Sequence, residues 1–144
     1  MDQNENEESM LPGPADIKAV LAFLPIFEKP GFMFAEECGG EKQADGSFTM
    51  PWVALSDDAS RFIKRLYEHR FILSSFKWTE WQHEAERYVN DPTAIKSADL
   101  ETICKLLTTH VRKDRFCEGH LAGMFECGHL VNLLRRLRST LVQE

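Results

Sequence analysis

Apolar residues recur at three- and four-residue steps along most of this chain, and the steps break at a few sharp points. Ile17, Val20, Leu21 and Leu24 mark one helical stripe behind Pro14, and Pro25 must end or kink it because its ring displaces the preceding turn. Ser56-Asp57-Asp58 is a good helix start, followed by an apolar face of Phe62, Ile63, Leu66 and Tyr67. Thr79 and Gln82 read as a capping box ahead of Trp81, Ala85 and Tyr88. Asp91-Pro92 stops that helix and opens a short one. Asp99 then caps Leu100, Ile103, Cys104, Leu107 and Val111, the clearest amphipathic run in the chain.

One stretch lacks helical spacing. Residues 32–35 and 47–50 flank a Gly-rich, polar connection from Gly39 to Gly46, which predicts a two-stranded hairpin with a long loop. No repeat, coiled-coil heptad or strand–helix alternation is present. The pattern predicts a mainly α protein: a compact helical domain of five to six helices over residues 14–144, with one small β-hairpin after the first helix. Residues 1–13, rich in Asn and Glu, read as a disordered acidic tail.

The segment from Cys117 to His129 is the first place to look for chemistry, since it holds Cys117, His120, Cys127 and His129. Measured from Leu121 at about 100° per residue, these fall near 320°, 260°, 240° and 80°. His129 points away from Cys127 in a continuous helix, and His120 and Cys127 lie about 10 Å apart along the axis. A zinc ligand sits about 2 Å from its ion, so one ion cannot take all four. Leu121, Met124 and Phe125 share an azimuth, while Leu130, Leu133, Leu134, Leu137 and Leu141 lie nearly opposite. That phase flip predicts a helix end at Gly128 and a new helix after it, with Cys127 and His129 at the hinge, away from Cys117 and His120. Two-ligand fragments completed by Cys38, Cys104, His69, His83 or His110 stay open, but the usual Cys-x-x-Cys framework is absent and no metal is assigned. Cys104 and Cys117 read as small buried hydrophobes.

Charge narrows the partners. The net charge is −6, and residues 1–58 carry 3 Lys/Arg against 12 Asp/Glu, whereas residues 104–144 carry 7 against 4. An acidic chain is a poor general nucleic-acid binder, because that affinity comes mainly from phosphate neutralisation. Arg112, Lys113, Arg115, Arg135, Arg136 and Arg138 read as a solvated helix face. No apolar run approaches the roughly 20 residues that cross a bilayer. The acidic start is unlike a secretory signal, and four cysteines beside a good core read as reduced thiols, so a cytoplasmic setting is expected.

Six residues form a candidate pocket: Trp78, Trp81, Glu84, Arg115, Glu118 and His120. Trp81 lies on the Ala85/Tyr88 face, and Glu84 stands on the margin of that face, where a carboxylate needs a partner. Glu118 falls near the azimuth of Phe125 and is expected to look inward at a helix start. His120 has the pKa range of a general acid or base, and Arg115 is placed to pair with Glu84 or Glu118 or to hold an anion. If the six meet, they make a polar site in an apolar wall. Spacing alone does not bring residue 84 to residue 118.

The segments FKWTEWQHEAERYV (76–89) and DLETICKLLTTHVRKDRFCEGHL (99–121) resemble a prokaryotic domain family of unknown function, and the likeness extends over residues 15–138. The chain departs from that pattern at Lys77, where an acidic residue is expected, and at Cys127, where a small or polar one is. The resemblance implies a prokaryotic cytoplasm and a compact helical fold, and it brings no catalytic residue or cofactor. There is no G-x-S-x-G, P-loop or G-x-G-x-x-G. The leading expectation is a binding or protein-interaction domain without catalytic activity or cofactor, with an unknown small molecule or protein as partner. The alternative is a small hydrolase- or lyase-like enzyme using Glu84, Glu118 and His120 as acid–base groups. A third reading, a nucleic-acid accessory protein, rests on the basic helices alone. Oligomeric state is open.

Overall fold

A computed structural model of the chain describes residues 11–142. The chain enters at Leu11, partly buried against the core, and Pro14 opens α1 (Pro14–Leu21). The stripe predicted across Leu24 is split in two. Pro25 cannot donate an amide to the preceding turn, so the chain restarts as a one-turn α2 (Leu24–Phe27) with Pro25 in its first turn. Residues 1–10 of the expected tail lie outside the described residues.

The hairpin is present, but its strands are displaced. β1 (Ala35–Cys38) pairs antiparallel with β2 (Trp52–Leu55), Ala35 opposite Leu55 and Cys38 opposite Trp52. Of the expected run 32–35 only Ala35 joins a strand, and the run 47–50 pairs through Thr49 with Gly40 and Glu41 and through a single Lys42–Phe48 bridge, outside the two strands. Phe32 and Phe34 turn into an aromatic cluster with Phe27 and Phe125, at ring-centroid distances of 5.1–5.7 Å. Met50 stays exposed instead of pairing. Gly39, just past β1, adopts φ +78, where a Cβ would lie 2.3 Å from the Met50 carbonyl oxygen. Only glycine fits there.

Ser56 caps α3 (Asp57–Glu68), its hydroxyl accepting from the Ala59 amide at 3.2 Å. The capping box at Thr79 does not form. Residues Trp78–Trp81 wind as a 3-10 turn, so α4 (Gln82–Asn90) starts two residues later, after Trp81, without a side-chain cap. Asp91 caps the one-turn α5 (Pro92–Ile95), and Asp99 caps α6 (Leu100–Asp114) by accepting from the Thr102 amide at 2.8 Å. A turn through Gly119 leads to α7 (His120–Glu126), and a two-residue link leads to α8 (His129–Val142). The predicted phase flip at Gly128 is real: Gly128 adopts φ 87, the left-handed geometry that ends a helix. The protein is mainly α, and its longer helices match the expected five to six; α2 and α5 add single turns.

α8 is the spine. It packs on α1, α2, α5, α6 and α7, and buries Leu130, Leu133, Leu134 and Leu137 completely. α6 runs through the same core with Ile103, Leu106 and Leu107 fully enclosed. At about 1.5–3 kcal/mol for each enclosed apolar side chain, these two helices contribute a large share of the stability. Cys104 is buried as expected, and its thiol is pushed up to about 12, mainly by burial. Cys117 is exposed, contrary to expectation, because it lies in the turn after α6 and not on a helix face. No helix among the described residues is long and apolar enough to cross a membrane.

A buried histidine row beside a small cavity

On α6, Ile103, Leu106, Leu107, His110 and Val111 follow three- and four-residue steps, so His110 belongs to the core-facing stripe. It is 2% exposed. A buried imidazole needs partners for both nitrogens, and two other histidines supply them. His110 Nδ1 lies 3.0 Å from His120 Nε2, and His110 Nε2 lies 3.0 Å from His129 Nε2. His120 is the first residue of α7 and His129 the first of α8. Each follows a glycine at positive φ, Gly119 at 86 and Gly128 at 87, which lets the chain turn sharply and aim the ring back at α6. Asp114 secures the start of α7 by accepting from the Leu121 amide at 2.9 Å.

Burial, reinforced by neighbouring positive charge, disfavours protonation along the row. Burial holds His110 well below the ordinary imidazole value, and the neighbouring His129, His120 and Lys113 push the same way. Burial and then His120 lower His129 to about 4. His120 is lowered by burial and Lys113, against an opposing pull from Asp114. His129 Nδ1 is buried and has no hydrogen-bond partner among the described residues. Since His110 turns a different nitrogen to each neighbour, one ion cannot bind all three rings as they stand. Among the described residues no group of three or more His, Cys, Asp or Glu is set to hold a metal.

His110 and His120 also line a cavity of about 290 Å³ between α4, α6 and α7. Ala85, Val89 and Met124 give it an apolar surface. Gln82, Glu86 and Asn90 add polar groups from α4, while Lys113 and His120 add them from α6 and α7. Thr109 also lines it, but its hydroxyl is already donated to the Lys105 carbonyl at 2.8 Å. Neither Glu86 nor Lys113 forms an ion pair among the described residues, although both face this one space.

Of the six residues expected to meet, His120 alone lines the cavity. Glu84 is exposed on α4 and pairs with Arg87 at 3.1 Å. Glu118 does not look inward: it precedes the first turn of α7, is exposed, and accepts from the Val53 amide of the hairpin at 2.7 Å. Arg115 pairs with neither glutamate and donates to the Tyr67 hydroxyl at 3.0 Å. Trp78 stacks on the exposed Phe116 at 5.9 Å, and Trp81 packs between Phe76 and Tyr88. Two basic residues of α8 serve the fold. Arg135 pairs with Glu28 at 2.7 Å, and Arg136 donates to the Ala98 carbonyl at 2.8 Å.

The position of His129 corrects the expectation that the hinge lies away from His120, because one imidazole, His110, joins the two. His110 was legible as a polar residue on the most apolar stripe of the chain. His129 carried no such signal, since its direction depends on the turn at Gly128. No curated protein and no solved structure matches the chain. Residues 12–143 match the model of a family of unknown function, DUF6508, and the chain belongs to that family.

Proposed function

We propose that this protein is a small-molecule binding domain whose ligand sits in the cavity between α4, α6 and α7. The observation that carries the reading is the convergence there of Lys113, His120, Glu86, Gln82 and Asn90 around an apolar patch of Ala85, Val89 and Met124. Few oriented polar groups in an apolar wall are the usual form of such sites, and about 290 Å³ suits a small metabolite. The four free cysteines, together with the family resemblance, support a reducing, prokaryotic cytoplasm as its setting. An acid–base enzyme built on Glu84, Glu118 and His120 has less support, since only His120 reaches the cavity. The test is ligand-observed NMR with a panel of small carboxylates, amines and sugars, repeated on Val89→Trp, which fills the cavity. Binding by at least one class, lost in the variant, is expected. No binding, or binding that survives Val89→Trp, refutes the proposal.

A further inference from the structure

Three neutral imidazoles in a row have two hydrogen-bond registers. Each ring has one N–H and one lone pair, so the choice at one end dictates the other. In the first register His120 Nε2–H donates to His110 Nδ1, and His110 Nε2–H donates to His129 Nε2. That leaves an N–H on His129 Nδ1, buried without an acceptor. In the second register every bond reverses. His129 Nε2–H donates to His110 Nε2, His110 Nδ1–H donates to His120 Nε2, and the proton left over resides on His120 Nδ1.

The surroundings of His129 separate the two. Its Nδ1 is buried and has no hydrogen-bond partner among the described residues, so an N–H placed there finds no acceptor. His120 is only part-buried and lines the cavity, so an N–H left on its Nδ1 is not enclosed without an acceptor. Orphaned buried N–H groups are also rarer than underused acceptors. The orphaned Nδ1 of His129 selects the second register.

We infer that the row fixes His120 as a hydrogen-bond donor into the cavity, and that the ligand is a small carboxylate with an apolar body. His120 Nε2 is occupied by His110, so Nδ1 is the nitrogen left to address a ligand. Lys113 lines the same space without a carboxylate partner among the described residues, and supplies the charge for an anion. Ala85, Val89 and Met124 take the aliphatic part, while Glu86 on the α4 side favours an amino or hydroxyl group on the same molecule. The inference rests on the cavity being a binding site, but the register is measurable without any ligand.

Long-range proton–nitrogen NMR of the histidine rings in the ligand-free protein reads it directly. The expected pattern is N–H at Nδ1 of His120, Nδ1 of His110 and Nε2 of His129. The reversed pattern, or one averaged over both, overturns the inference and leaves the cavity reading intact. A second arm compares isovalerate with the isosteric isovaleramide. The carboxylate is expected to bind at least about tenfold tighter, a difference reduced severalfold in Lys113→Met. Equal or tighter binding of the amide, or silence from both, rejects the carboxylate assignment. Binding of an amine or sugar in the broader panel would still preserve the site.

Discussion

Acidification tests the histidine row through stability. Between about pH 7 and about pH 5.5 the imidazoles of the unfolded chain take up protons, whereas buried His110 and His129 do not. Their folded pKa values lie below the ordinary value of 6.5, with His129 at about 4. The unfolded state therefore binds more protons in this window, and stability falls as pH falls. Integrated over the window, each site contributes a loss of about 1 kcal/mol, and the two together about 2–3 kcal/mol. His120 is half-buried and adds a smaller loss of the same sign. Carboxylates do not mask the effect: Asp16, lowered to about 2 chiefly by its hydrogen bond with His69, loses its contribution only below about pH 4. Urea unfolding at the two pH values should show a midpoint lower by about 1–2 M in the acid, for a typical denaturant slope. His110→Leu should roughly halve the pH dependence, whatever it does to the absolute stability. A midpoint that holds or rises on acidification would refute the picture of a neutral, buried row.

Other outcomes rest on the packing. Phe27→Ala removes a 3% exposed ring that touches Phe23, Phe32, Phe34, Phe62 and Phe125, and should cost about 3–5 kcal/mol in chemical denaturation. Asp99→Ala deletes the cap of α6 and should cost about 1 kcal/mol by the same measurement. Gly39→Ala drives a Cβ into the Met50 carbonyl at a positive φ, and should lower stability by at least about 1 kcal/mol. Gly46→Ala, which has positive φ but open space, should cost less in a parallel thermal melt.

Periodicity revealed most of the helices because each buries one face, and burial imposes spacing. Asp91, Asp99 and Ser56 marked three helix starts correctly, since an oxygen one residue before an apolar run has a local task that does not depend on the rest of the fold. Thr79 failed as a cap because a 3-10 turn and a capped α-helical start look alike in four letters. The hairpin was placed correctly but its strands were displaced, because Phe32 and Phe34 answer to Phe125, some ninety residues away. The candidate site was less legible for the same reason. Helical angles can be applied to Glu118 only if it lies in a helix, and it lies just before one. His129 was unreadable without the direction that Gly128 gives to the chain.

The two ring contacts of His110 also act as a ruler for the segment between them. His120 and His129 sit at the heads of successive helices, so the seven residues of α7 and its two-residue link must span the interval between two fixed points. One residue added to α7 would swing the head of α8 by about 100° and lift it about 1.5 Å, carrying the second imidazole off its partner. Sequence in this segment can vary where side chains face water, but its length is dictated by the gap it bridges.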